Sequence, residues 1–303
     1  MYDLIILGAG PAGITAAIYA GRKRLKSLVI TQNVGGQAAM SASIKGYKGY
    51  QHITAVELMK KFEDHIKEFD ISMKEGEEAV VVKKKNDVIE VKTDKGKYEA
   101  KSLIIATGAR PRTLKLPGEN EFKNRGVTYC ATCDAPLFVN MDVAVIGGGN
   151  SAMDATMQLM KIANKIYLIN RSSSFRGDEV MLAKIEASDK VKIFSNAKPL
   201  EILGDRLVSG IRVEADGKQK TLEVRGVFIE MGSISNSDFV AEPIERNQRG
   251  EIVVDNQNRT SVSGIFAAGD VTDVPQKQVV IAAGEGAKAA LSANEYLARL
   301  KQS

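Results

Sequence analysis

At 303 residues, and with roughly 150 residues per domain as a prior, the chain has room for about two domains with sizeable cores. Its 44% hydrophobic and 26% charged residues lie close to globular averages, which excludes disordered, collagen-like and coiled-coil classes. The net charge of +5, from 42 basic and 37 acidic residues, is spread along the chain apart from clusters such as Arg22, Lys23, Arg24 and Lys26. Four cations after a helical stretch complement a helix C-terminus or form a solvated face, so no nucleic-acid partner is expected. No run approaches the roughly 18 apolar residues of a membrane span, and no basic stretch precedes the apolar run that begins at Leu4. A cytoplasmic protein without a membrane partner is the expectation.

The first element is half of a repeat. Residues 3–30 read DLIILGAGPAGITAAIYAGRKRLKSLVI, and residues 142–169 read DVAVIGGGNSAMDATMQLMKIANKIYLI, at an ungapped offset of 139. Each copy runs from a short apolar segment (4–7, 143–146) through a glycine cluster and an alanine-rich helical stretch to a second apolar segment (28–30, 166–169). That pattern predicts strand, tight turn, helix and parallel strand. Gly8, Gly10 and Gly13 form G-x-G-x-x-G; Gly147, Gly149 and Ala152 form G-x-G-x-x-A. The first position permits the turn, the second lets backbone approach a pyrophosphate, and the third must be small for helix and strand to pack; the helix N-terminus then faces the phosphates. Two in-register copies predict two dinucleotide sites.

The residues ending each second strand separate the two ligands. After the first copy stand Thr31 and Gln32, so the acid that would bind the ribose of NAD is missing. After the second stand Asn170, Arg171 and Ser172, then Arg176; guanidinium groups there suit a 2′-phosphate, and the second site leans towards NADPH.

Between and beyond the repeats the pattern predicts a helix over 55–69 and strands over 78–82, 88–93 and 98–103. A buried strand over 102–109 runs into Thr107, Gly108 and Ala109, and Pro111 and Pro117 punctuate a linker. Later strands are predicted over 191–194, 207–214, 226–230 and 264–268, and a helical tail over 277–300. The two cysteines, Cys130 and Cys133, share one C-x-x-C, so no disulfide framework exists, and a structural bridge closing so small a loop would stabilise little. A zinc half-site would need four ligands; only His52 and His65 could complete it, their spacing fits poorly, and both read as surface residues, so no metal is expected.

These residues resemble the low-molecular-weight thioredoxin reductase family over essentially the whole chain. The resemblance rests on GAGPAG at 8–13, GGQ at 35–37, ATGA at 106–109, CATCD at 130–134, VIGGGNSA at 145–152 and GIFAAGDV at 264–271. Residues 270–290 are more similar to the flavoprotein subunit of alkyl hydroperoxide reductase, whose additional N-terminal redox domain is not expected here. The resemblance implies an α/β fold of two Rossmann-like domains: a discontinuous FAD domain, residues 1–111 and 239–303, with an NAD(P)H domain, residues 112–238, inserted and carrying the cysteine pair. It also implies a homodimer. Gly8, Gly10, Pro11, Ala12 and Gly13 are implied to hold the FAD pyrophosphate, with Gly36, Gln37, Thr107 and Gly108 lining the site. Asp270 is implied to contact the ribityl chain, and Lys277, Gln278 and Val279 to lie near the isoalloxazine, at the positive end of a helix. Gly147, Gly149, Asn150, Ser151, Ala152, Arg171 and Arg176 are implied to bind NADPH.

The chemistry implied is hydride transfer from NADPH to FAD, reduction of a Cys130–Cys133 disulfide, and thiol–disulfide exchange with thioredoxin or a thioredoxin-like protein. In this scheme Cys133 faces the flavin, Cys130 attacks the partner, and Asp134 protonates the departing thiolate, although Asp134 also reads as a helix or turn cap. Departures from the family pattern fall at Asn170 and Ser172, where the family usually has His and Arg, and at Ser235, in place of the usual proline. The family's flavin-side loop appears as Lys45, Gly46, Tyr47, Lys48 and Gly49, and Ala135 to Phe138 replaces its Gly-Phe-Phe. Two alternatives therefore stay open: the same disulfide chemistry with another donor (NADH, ferredoxin or a deazaflavin), and a flavin redox sensor that turns over poorly.

Overall fold

The computed structural model describes residues 1–40, 44, 46–51, 53–300 and 302. The chain divides into two compact units, the first formed by Met1–Arg110 with Ile234–Ser303 and the second by Pro111–Ser233.

In the first unit, β1 (Tyr2–Ala9) leads through Gly10 into α1 (Pro11–Arg22) and then β2 (Ser27–Val34). A capping box of Thr54 and Glu57 starts α2 (Ala55–Ile66), satisfying amides that have no partner inside the helix. Four strands follow: β3 (Ser72–Glu75), β4 (Ala79–Lys85), β5 (Val88–Thr93) and β6 (Lys97–Ile105). β2, β1 and β6 run parallel at the centre, with β3 parallel on one edge and the antiparallel pair β5–β4 on the other. The segments predicted over 98–103 and 102–109 are one strand, which ends at Ile105. The unbroken apolar run of β1 follows from burial on both faces. Leu4 and Ile6 enter the core under α1, while Ile5 and Leu7 enter the core on the opposite face. Each is essentially inaccessible to solvent, a burial that stabilises by about 1.5–3 kcal/mol per side chain.

β7 (Ala109–Pro111) leads towards the second unit, which begins its sheet with β8 (Val127–Thr128) and the short α3 (Ala131–Asp134). The second copy of the repeat follows as β9 (Asp142–Ile146), α4 (Asn150–Leu159) and β10 (Lys165–Ile169), then α5 (Glu179–Glu186) and β11 (Val191–Phe194). β12 (Lys198–Gly204), β13 (Val208–Ala215) and β14 (Lys218–Glu223) form an antiparallel three-stranded sheet. β15 (Gly226–Ile229) returns to the parallel sheet, whose order is β11-β10-β9-β15-β8. β16 (Ser233–Ser235) pairs with β7 where the chain crosses back. β17 (Ile265–Ala267) then adds to β6 in parallel, and α6 (Val279–Leu300) closes the first unit. α6 lies on α1, its Ala289, Ala290 and Ala293 buried in the same core. A Cβ on Gly286 would stand 2.0 Å from the Ala12 carbonyl oxygen, so only glycine permits that approach. Among the described residues, no helix is long and apolar enough to cross a membrane.

Candidate functional site: two glycine cradles and a disulfide

The turn from β1 into α1 separates three uses of glycine. Gly8 has φ +97°, and a Cβ there would stand 2.4 Å from the Ala106 carbonyl oxygen. A Cβ on Gly13 would stand 1.8 Å from the Gly8 carbonyl oxygen; both glycines are thus required by the protein's own packing. Gly10 is different, since the nearest atom to its Cβ position is 4.0 Å away. Among the described residues, no protein group occupies the space that this glycine leaves. Gly10 is the N-cap of α1, makes no side-chain cap, and is followed by Pro11. Amides of the first turn therefore point towards open space at the positive end of the helix.

The second copy repeats the arrangement. Gly147 would place a Cβ 2.3 Å from the Glu230 carbonyl oxygen, Ala152 is fully buried, and Gly149 has nothing within 4 Å of its Cβ position. Gly149 caps α4 without a side-chain hydrogen bond. Packing accounts for the outer positions of each motif and leaves the middle glycine unexplained. A pyrophosphate fits both places: it needs close backbone approach and free amides.

Of the other expected residues, Gly36 and Thr107 lie against the first cradle, and the rest make contacts of their own. The Gly35 N–H donates to the Ala9 carbonyl at 2.7 Å, and Gly36 faces Gly10. Thr107 lies against Gly8, and Gly269, one residue before Asp270, lies against Ala12. Thr107 Oγ1 donates to the Asn236 carbonyl at 2.5 Å, and Asn236 Nδ2 donates back to the Thr107 carbonyl at 3.1 Å; the Asn236 N–H reaches the Gly108 carbonyl. Burial raises the carboxyl pKa of Asp270 above the usual range, and the charge of Lys277 opposes the shift. Lys277 Nζ is engaged by the Thr272 carbonyl at 2.5 Å and by Glu251 at 3.2 Å. The Gln278 carbonyl accepts from Ala282 at the start of α6, and Val279 packs against a separate small core around Leu58 and Met59. Gln37 follows Gly36 in the same short turn and is exposed. Thr31, read from the sequence as a missing acid, has a part of its own: its buried hydroxyl accepts from the Ala9 N–H at 3.2 Å and fixes the end of β1. Gln32 is held by Glu78 at 2.5 Å. Lys45 and His52 lie outside the described residues; His65 is exposed on α2.

Around the second cradle, the loop after β10 folds back onto the glycines. Asn170 is buried, donates through Nδ2 to the Ser174 carbonyl at 2.9 Å and accepts the Ser172 N–H at 3.1 Å. The Arg176 N–H bonds the Gly148 carbonyl at 2.8 Å, and Asn150 Oδ1 accepts the Asp178 N–H at 2.8 Å. Arg171 and Arg176 are exposed, and the backbone of Arg176 lies against the glycine turn. Ser151, also exposed, stands in the first turn of α4.

In the same unit Cys130 and Cys133 are joined in a disulfide. Cys130 is the N-cap of α3, and its Sγ accepts the Cys133 N–H at 3.2 Å. The Cys130 N–H donates to Thr128 Oγ1 at 3.2 Å, and that hydroxyl donates in turn to Asp134 Oδ2. Burial raises the Asp134 carboxyl pKa, with the Thr128 hydrogen bond pulling the other way, so the group is biased towards holding a proton. Its carboxylate caps no amide of the turn that follows. Tyr129, next to Cys130, is anchored by Glu119 at 2.8 Å, and Glu119 also gathers the Leu114 and Lys115 N–H groups. Glu230 Oε1 accepts the Ala131 N–H at 3.1 Å. Glu230, Thr128, Asn236 and Glu119 carried no signal in the sequence, because each acts through a partner that only folding supplies.

Two open glycine cradles and a C-x-x-C disulfide stand together in one chain. Residues 2–286 match the family model described as pyridine nucleotide-disulphide oxidoreductase, and the chain belongs to that family. It is 41% identical over 301 residues to the F subunit of alkyl hydroperoxide reductase from Staphylococcus aureus, covering 98% of this chain and 59% of that protein. A protein named NADH dehydrogenase from Bacillus subtilis is 40% identical over the same lengths. The chain thus spans about 59% of the length of these relatives. Among solved structures, thioredoxin reductase from Streptococcus pyogenes superposes with a TM-score of 0.92 at 36% identity, covering 99% of both chains. A ferredoxin-flavin thioredoxin reductase from Clostridium acetobutylicum gives 0.56 at 32% identity, covering 100% of this chain and 99% of that one. The α/β fold with two Rossmann-like domains is therefore that of the thioredoxin reductases, and the family implies FAD and a pyridine nucleotide as cofactors.

Proposed function

We propose that the chain is an NADPH-dependent flavoprotein reductase whose Cys130–Cys133 pair passes electrons to thioredoxin or a thioredoxin-like protein. FAD would be held at the Gly10 cradle, and when bound would supply hydride acceptance and two-electron transfer. The observation that carries the reading is the environment of the disulfide. The Cys133 amide stabilises negative charge on Cys130 Sγ, which favours Cys130 as the thiolate that attacks a partner disulfide. Asp134, biased towards its protonated form by burial, can give a proton to a departing thiolate. Arg171 and Arg176 beside the open Gly149 turn support 2′-phosphate recognition, and with it NADPH. By family precedent we place the enzyme in the cytoplasm as a homodimer.

NADH is the second reading. It is favoured by the relative named NADH dehydrogenase, and by Asn170 and Ser172 in the loop that would otherwise be richer in cations. The experiment that tests the proposal is Cys133→Ser. The variant is expected to bind FAD and to be reduced by NADPH, yet to reduce no thioredoxin over many turnovers. Full disulfide-reductase activity in that variant would refute the scheme.

A further inference from the structure

Glu230 directly follows β15, the strand that runs beside β9, and it touches both chemical features of the second unit. Its carbonyl oxygen lies under Gly147, at the floor of the glycine turn. Its side chain accepts the Ala131 N–H at 3.1 Å, inside the C-x-x-C. An amide at the start of α3 is thus engaged by a carboxylate, whereas the Cys133 amide is engaged by Cys130 sulfur. Ala131 follows Cys130 directly, so covalent reach alone keeps the carboxylate within roughly 8 Å of that sulfur. Two opposed influences act on Cys130: one amide favours its thiolate, and a nearby negative charge disfavours it.

We propose that Glu230 is a positioning residue of the disulfide centre, holding the first turn of the C-x-x-C through Ala131 and, when ionised, restraining the thiolate of the reduced pair. The inference rests on reading Cys130 and Cys133 as the working redox pair. Helices α4 and α3 each carry a further acid. Asp154 on α4 repels its ionised form, and Asp134, at the far end of α3, is held by Thr128. Burial, reinforced by Asp154 and opposed by the Ala131 hydrogen bond, lifts the Glu230 carboxyl to about 7. Its charge therefore changes near neutral pH. Below that range the neutral acid still accepts from Ala131 and the restraint on the thiolate is lifted; above it the restraint is complete.

The test is the pH profile of thiol alkylation by iodoacetamide in the reduced, FAD-loaded protein, with Cys130 and Cys133 followed separately by peptide mass. It needs neither an electron donor nor a partner protein, so its outcome is distinct from that of the thioredoxin assay. Glu230→Gln keeps an acceptor for Ala131 but cannot ionise. Its alkylation rate at Cys130 should equal that of the unmodified protein below pH 6 and exceed it about three- to tenfold at pH 8. Superimposable profiles, or a constant ratio at every pH, would overturn the proposal. Asp154→Asn provides the independent check. By removing the neighbouring charge it should move the step in the alkylation profile to lower pH, and an unmoved step would contradict the assignment.

Discussion

Replacing Gly149 and Gly147 separately by alanine tests whether the open glycine cradle exists to receive a dinucleotide. At Gly149 the backbone is extended, with φ −112°, and nothing lies within 4 Å of the Cβ position, so the folded protein accommodates the methyl group. The cost is the loss of a favourable N-cap residue, about 0.5–1 kcal/mol, or a fall of roughly 2–4 °C in melting temperature. A phosphate approaching the same turn meets that methyl group and loses a charge-assisted hydrogen bond to backbone, worth about 1.5–3 kcal/mol. Affinity for the nicotinamide nucleotide should then fall roughly 10- to 100-fold while bound FAD is unaffected. At Gly147 the Cβ would stand 2.3 Å from the Glu230 carbonyl oxygen, with φ at +154°. Alanine there should destabilise the second unit by several times the cost at Gly149. Calorimetry with titrated nucleotide and thermal unfolding distinguish the two effects. Unchanged nucleotide affinity in Gly149→Ala, or equal destabilisation by both variants, would exclude the Gly149 turn as a phosphate site.

Other outcomes follow from the same geometry. Arg171→Ala and Arg176→Ala should raise the KM for NADPH more than that for NADH in steady-state assays; equal increases would remove the 2′-phosphate assignment. Asp134→Asn should lower kcat for disulfide reduction by about 100-fold or more at pH 7, with FAD content unchanged. Glu230 should make the fold depend on pH. Its carboxyl is lifted from an ordinary value of 4.5 to about 7 in the native state, so its contribution is most favourable below pH 4.5 and is lost as pH rises through 7. Glu230→Gln should therefore gain stability relative to the unmodified protein between pH 4.5 and 8, by at most about 3 kcal/mol. Urea unfolding across that range measures it, and a pH-independent difference would contradict the assigned shift.

The two Rossmann-like units were legible in the sequence because a buried parallel strand, a glycine turn and an alanine-rich helix leave a signature that depends on local residues alone. The 139-residue offset made that signature appear twice. Elements whose existence depends on distant partners left weaker marks. β7, β8 and β16 are two or three residues long and exist only as ladders with remote strands. β12 and β14 alternate too little to be read: in β14 only Leu222 is buried. The glycines could be named from their spacing, but spacing does not say which of them the protein's own packing requires; the distances from each Cβ position separate Gly10 and Gly149 from their neighbours. Polar partnerships were invisible for a related reason. Thr107 meets Asn236 across 129 residues, and Ala131 meets Glu230 across 99. Asp134 was visible only as an acid beside a C-x-x-C, and its bias towards the protonated form follows from burial that no local pattern encodes.

The central claim is that electrons from NADPH reach the Cys130–Cys133 disulfide through bound flavin. An anaerobic titration of the FAD-loaded protein with NADPH, following flavin absorbance and newly formed thiols together, tests it most directly. Two equivalents should be consumed in all, the first passing through the flavin to open the disulfide and the second leaving the flavin bleached, with both cysteines reactive to a thiol reagent. Flavin that stays oxidised, or that bleaches after one equivalent with no thiols formed, would contradict it.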